Sequence, residues 1–258
     1  MNSILLEINN HVAVITINRP ESLNAFNYQT LLELQNKVEQ IRIDQDICAV
    51  IFIGSGEKAF CVGADLKERK NLTNEQVKRN LYKINEVFNS IDQLPQPTIA
   101  AINGFAFGGG MELALACDFR IAAEEAVMGL TETGLAIIPG AGGTQRLPRL
   151  IGQAKALELI LTAQRFTAEE GFVYGVLTKV VDQKELLTAC KAFADKLLAN
   201  GPIALQQAKF AIKNGMNVDL NTGLQIERKA YEVTLSTEDR IEALQAFAEK
   251  RKPVFKGK

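Results

Sequence analysis

The sequence predicts an α/β fold followed by a helical appendage. Short apolar runs of strand length alternate with amphipathic helical segments from Ile4 to about residue 200. That alternation implies helices packed on sheets. From Gly201 onward the strand signals disappear and helical periodicity alone remains. The chain therefore divides into residues 1–200, an α/β domain, and residues 201–258, a helical region. Within the first part, three consecutive glycines (Gly108 to Gly110) open an apolar helix-like run from Met111 to Cys117.

Ile4 to Ile8 and Val12 to Ile17 alternate apolar residues around Asn9-Asn10-His11 and read as an antiparallel hairpin. Tyr28 to Ile43 repeats apolar residues at Leu31, Leu34, Val38 and Ile41, a helical period. Ala49 to Ile53, β-branched and bounded by Gly54-Ser55-Gly56, reads as a buried strand. Asp65 with Glu68 has the spacing of a capping box, which starts a short helix, and Thr73 with Gln76 starts the next, running to Ile91. Pro95 and Pro97 separate that helix from a strand at Thr98 to Ile102. Phe119 to Ala122 and Ala126 to Gly129 are short strands; Gly142 to Ile151 and Ala154 to Thr162 are helical. Thr167 with Glu170 opens a helix that Gly175 closes, Val180-Val181 is a brief strand, and Asp182 with Glu185 opens a helix to Asn200. Pro202 suits the first position of a helix. Pro202 to Asn214, Leu220 to Leu235 and Glu238 to Lys250 complete the helical region.

Composition narrows the function. The chain has 258 residues, 47% hydrophobic and 23% charged, with a net charge of −1. No excess of positive charge is present to grip a phosphate polymer, so no nucleic-acid partner is expected. Cys48, Cys61, Cys117 and Cys190 include no C-x-x-C pair, which argues against zinc or a redox dithiol. The single histidine, His11, lies in a turn; a histidine metal site or a Ser-His-Asp triad is not expected. Met1 to Glu7 lacks a signal pattern, and no apolar run approaches the ~20 residues that span a bilayer. A cytoplasmic protein without a membrane partner is expected; a matrix protein relieved of its transit peptide would look the same.

The glycine triplet marks the site. Glycine ahead of a helix lets backbone approach a ligand, and the first N–H groups of that helix have no partner within it. With the helix dipole, this is the equipment that stabilises a developing oxyanion. Glu112 sits just inside the helical run, and Glu132 follows among small and apolar residues. Gly63-Ala64, ahead of the helix that Asp65 starts, offers a second set of free N–H groups. Two carboxylates in partly apolar surroundings can divide acid and base roles, because burial favours the neutral form. A glutamate in a first helical turn also complements the dipole without any chemistry; the combination of features is what points to a site.

Ile99 to Asp118, reading I-A-A-I-N-G-F-A-F-G-G-G-M-E-L-A-L-A-C-D, resembles the signature of the enoyl-CoA hydratase/isomerase, or crotonase, superfamily. Phe60 to Lys67 (F-C-V-G-A-D-L-K) and Ile138 to Leu147 (I-P-G-A-G-G-T-Q-R-L) match it in the same order. The resemblance spans the chain from Ile15 to Lys252. It implies a ββα spiral in residues 1–200 that binds acyl-CoA, and C-terminal helices that mediate a homotrimer or a hexamer of two trimers. No clean repeat period is visible in the sequence, so the spiral rests on the resemblance alone.

The resemblance also implies roles. The N–H groups of Ala64 and Gly109 would hold a thioester oxygen, and Glu112 and Glu132 would flank an alkene, their individual roles left open. For coenzyme A it points to Leu23, Ala25, Ala64, Leu66 and Lys67, with Phe247 and Lys250 reaching it from a neighbouring subunit. No prosthetic group is expected, because the substrate is carried as a coenzyme A thioester. The activity implied is an enoyl-CoA hydratase, a carbon–oxygen lyase; an enoyl-CoA isomerase and a methylglutaconyl-CoA hydratase are the alternatives within the family. A relative binds RNA through a lysine-rich helix. The corresponding helix here, Tyr28 to Arg42, has only Lys37 and Arg42 as basic residues, so an RNA-binding scaffold is the least favoured reading.

Overall fold

The computed structural model describes residues 2–258. The N-terminal hairpin is β1 (Ile4–Asn9) and β2 (Val12–Ile17), paired antiparallel. It leads to α1 (Tyr28–Ile43), whose N-cap Asn27 accepts the Thr30 N–H. Three similar units follow. The first is β3 (Ala49–Gly54), β4 (Ala59–Cys61), α2 (Leu66–Arg69) and α3 (Asn74–Asp92). The second is β5 (Thr98–Ile102), β6 (Phe105–Phe107) and α4 (Gly109–Ala116). The third is β7 (Phe119–Ala123), β8 (Val127–Gly129), α5 (Gly143–Ile151) and α6 (Gln153–Leu161). Then come β9 (Phe166–Thr167), α7 (Ala168–Val173), β10 (Lys179–Val181) and α8 (Leu186–Leu198).

The first strand of each unit joins one sheet and the second strand joins another. The six-stranded sheet has the order β1-β2-β3-β5-β7-β10 and the four-stranded sheet β4-β6-β8-β9. β3, β5 and β7 are mutually parallel, as are β4, β6 and β8. This is the ββα spiral that the resemblance implied. Its repeat lies in topology, and loops of differing length hide it in the sequence.

Both faces of the larger sheet are covered, which is why its central strands read as continuous apolar runs. Val50, Phe52, Ala100 and Ile102 point into the main core with α1, α3 and α4. Ala49, Ile51, Ile99 and Ala101 face the other way, against Leu186, Cys190 and Ala194 of α8.

Four local expectations are corrected. β4, β6 and β9 were not anticipated, because two or three residues are too few to show alternation. α4 begins at Gly109, two residues before the apolar run, with Gly108 as N-cap. Asp65 accepts N–H groups from Lys67 and Glu68, yet Glu68 does not complete the box; its carboxylate receives the Tyr28 N–H instead. Asp182 starts a single 3-10 turn, Gln183–Glu185, and α8 begins only after it. The boxes at Thr73–Gln76 and Thr167–Glu170 are complete.

Beyond residue 201 lie α9 (Pro202–Gly215), α10 (Leu220–Thr234) and α11 (Glu238–Ala248), with no strand. Their packing differs from that of the core. α4 buries seven of its eight residues, whereas α9 buries none of its fourteen. Phe210, Ile212, Met216, Leu224 and Leu244 stand exposed. α9 is held to the core by charge. Lys209 and Lys213 meet Asp118 at 2.6 and 2.8 Å, and Lys213 meets Asp92 at 2.6 Å. Among the described residues no helix is long and apolar enough to cross a membrane.

Candidate active site

The units of the spiral converge on a cavity of about 1330 Å³, lined at its centre by Ala64, Gly108, Gly109, Glu112 and Glu132. Leu23, Ala25, Leu66 and Lys67 line it as well. Phe247 and Lys250 do not; they lie exposed on α11 and just beyond it, with Phe247 86% accessible.

Two backbone donors meet at the centre. Gly63 approaches α4 so closely that a Cβ there would stand 2.8 Å from the Gly109 nitrogen. A Cβ on Gly109 would lie 3.8 Å from the Ala64 nitrogen. Among the described residues neither the Ala64 nor the Gly109 N–H has a hydrogen-bond acceptor. For Gly109 this follows from its place as first residue of a helix. For Ala64 it follows from a pinned loop. Phe26 donates its N–H to the Gly63 carbonyl, Asp65 donates to the Phe26 carbonyl, and the Arg19 guanidinium grips Asp65 at 2.9 Å. Burial would push the Asp65 carboxyl up, but Arg19 and the amides of Glu68 and Lys67 hold it below the usual range.

Glu112, on the first turn of α4, is 3% accessible. Its Oε1 accepts two backbone N–H groups, from Ala141 at 2.7 Å and Gly143 at 2.8 Å. Burial raises its pKa, while those two amides and the nearby Arg146 guanidinium work against the rise. Such bonds favour the charged form.

Glu132 opens a 3-10 turn, Glu132–Leu135, after β8. Thr133 ties that turn to α6 through a hydrogen bond to the Ile160 carbonyl at 2.6 Å. At Glu132 only its own backbone amide works against burial. Its Oε2 is buried with no hydrogen-bond partner among the described residues. Burial, and next the charge of Glu112, push its pKa to about 7. Burial raises both carboxyls, and at Glu112 two amides and a guanidinium oppose the rise.

Other lining residues carry no motif signal of their own. Leu72, in the link before α3, and Val77, Leu81 and Ile84 of α3 form an apolar wall of the cavity, which Leu135, Ile137 and Ile138 also line. Ala141, Gly143 and Arg146 lie inside the I-P-G-A-G-G-T-Q-R segment, where the motif was legible and the purpose of its residues was not.

Comparison with known proteins shows the family of the chain. The family model described as enoyl-CoA hydratase/isomerase matches residues 7–258. A short-chain-enoyl-CoA hydratase of Clostridium acetobutylicum is 45% identical, covering 98% of this chain and 97% of its own. The mitochondrial methylglutaconyl-CoA hydratase of Mus musculus is 47% identical over 98% of this chain and 82% of its own. The crystal structure of an enoyl-CoA hydratase from Bacillus anthracis superposes with a TM-score of 0.98 at 53% identity, covering 99% of this chain and 100% of that one. On these matches, this chain is an enzyme of the hydratase/lyase type and belongs to the enoyl-CoA hydratase/isomerase family.

Proposed function

We propose that the enzyme adds water across the 2,3 double bond of a 2-enoyl-CoA thioester. The observation that carries this reading is the joint presence, in one cavity, of two unpartnered backbone N–H groups and two carboxyls in unlike surroundings, one holding two backbone N–H groups and the other with a buried oxygen that lacks a partner among the described residues. The Ala64 and Gly109 N–H groups donate to the thioester oxygen and stabilise the enolate-like charge that forms there. The Glu112 carboxylate takes a proton from water as its oxygen bonds to C3. Protonated Glu132 delivers its proton to C2. The product is a 3-hydroxyacyl-CoA. Glu112 ends protonated and Glu132 ionised, and exchange with solvent resets them.

Leu23, Ala25, Leu66 and Lys67 line the cavity and would contact coenzyme A. Phe247 and Lys250 would join them only from another subunit, and the exposed apolar face of α9 to α11 is the surface that a trimer or hexamer would cover. Sedimentation equilibrium should then return a multiple of the 28.3 kDa chain mass; the single-chain mass at micromolar concentration would remove the assembly and the roles of both residues.

The substrate is tested with a panel of 2-enoyl-CoA thioesters, including crotonyl-CoA and 3-methylglutaconyl-CoA, followed by loss of the conjugated-enone absorbance. Hydration of at least one member is expected. Migration of the double bond without water uptake would favour the isomerase instead.

A further inference from the structure

The turn that grips Glu112 is itself gripped from outside the cavity. Asn85 of α3 donates its side-chain amide to the Gly140 carbonyl. Arg146 of α5 donates Nη1 to the Ala141 carbonyl at 3.0 Å. Gly142 sits between them with φ +105°, and a Cβ there would overlap the Arg146 guanidinium. The turn is therefore wrapped round Arg146, and only glycine suits its apex.

Arg146 is in turn braced. Nη2 donates to Asn89 Oδ1 at 2.8 Å and lies 3.7 Å from Asp92. Asp92 is held at 2.6 Å by Lys213 of α9, which also reaches Asp118. A line of charged groups runs from the C-terminal helices to the turn that carries the two amides on Glu112.

We propose that Arg146 is a positioning residue: it keeps the Ala141 and Gly143 amides aimed at Glu112, and α9 braces it through Asp92. Arg146 does not line the cavity and touches no reacting atom. The inference rests on the reading of Glu112 as the general base. The charged groups facing Glu112 are Arg146 from α5 and Glu132 from the 132–135 turn. α3 presents Ile84 and Asn85 on this side, and β4 presents Cys61, whose buried thiol is pushed up to about 12; all are uncharged. Loss of Arg146 removes the facing cation and frees the amides. Both changes favour protonated Glu112, so it loses its proton at higher pH.

The test uses the full-length protein with 13C-labelled glutamate carboxyls. The Glu112 infrared band is assigned by its loss in Glu112→Gln and titrated without substrate. Arg146→Met should move its midpoint up by about 1 pH unit or more, within the range expected for losing a nearby opposite charge. The acid limb of kcat/KM should move with it, while KM changes little. Arg146→Lys keeps the charge and cannot hold Ala141 and Asn89 together; it should restore the midpoint and leave kcat several-fold low. Asn85→Ala should lower kcat with the midpoint unmoved. A folded Arg146→Met whose Glu112 titrates as in the parent overturns the proposal. If that variant does not fold, an Arg146→Lys enzyme with unchanged kcat overturns it equally. A shifted midpoint in a protein that hydrates no enoyl-CoA would defeat the assigned reaction and leave the clamp standing.

Discussion

Glu112 and Glu132 face one cavity from two different kinds of backbone. Glu112 stands on a helix whose neighbouring turn offers it two N–H groups and, behind them, a guanidinium. Glu132 stands on an isolated 3-10 turn, with one oxygen buried and unpartnered. Their chemistry as free carboxylic acids is the same. Burial raises both; the amides and the guanidinium beside Glu112 oppose the rise there, while Glu132 is pushed to about 7. On the proposed reading, the amides placed round one carboxyl fit it to be the base and leave the other to be the acid.

The largest expected effect removes either member. Glu112→Gln and Glu132→Gln should each lower kcat by about 100- to 10,000-fold, the usual worth of general acid–base catalysis. Gln at 112 still offers an oxygen to the Ala141 and Gly143 amides, so circular dichroism should show a native fold. Near-parent turnover in either variant would erase that member of the comparison.

Next comes the oxyanion site. Gly109 is the first residue of α4, the helical position that proline suits, and proline has no N–H to donate. Gly109→Pro should cost about 100- to 1,000-fold in kcat with both glutamates in place. A folded variant with normal turnover would show that the Gly109 N–H does not stabilise the transition state.

A smaller effect is the pH response. With Glu132 at about 7, kcat/KM should fall about tenfold per unit above that pH as the donor loses its proton. A profile flat to pH 9 would separate the donor role from Glu132.

The smallest effect is on stability. The folded pKa of Glu132 lies above its unfolded value of 4.5. Folding therefore favours the protonated form, and a penalty accumulates from about pH 4.5 to about pH 7 as the carboxyl ionises. Glu132→Gln removes that penalty. At pH 8 it should melt about 2–4 °C above the parent, corresponding to about 1 kcal/mol once solvent screening of this partly exposed group is allowed for. At pH 4 the two should melt together. Equal melting temperatures at both values would mean that Glu132 is not held unfavourably when ionised.

The sequence told the two halves of this site apart unequally. α1, α3 and the strands of the larger sheet follow from periodicity, since Leu31, Leu34, Val38 and Ile41 all enter the core. The glycine triplet and Glu112 were visible as a free helix terminus with a carboxylate beside it. Glu132 rested on a motif, because nothing in G-L-T-E-T-G marks a 3-10 turn. Of the second sheet only β8 was legible; β4, β6 and β9, two or three residues long, escaped notice. The acid and base roles stayed open because they depend on Ala141 and Gly143, whose contribution is backbone N–H and carries no side-chain signature. Arg146 was likewise invisible as a support: its contact with Ala141 depends on the left-handed apex at Gly142.

The division of labour between the two glutamates is tested most directly by titrating both carboxyls in the unliganded enzyme. Carboxyl 13C resonances, assigned by their disappearance in Glu112→Gln and Glu132→Gln, report each group separately. Glu132 should titrate near pH 7, with Glu112 already ionised below it. Glu112 taking up its proton at the higher pH, with Glu132 ionised first, would contradict the account.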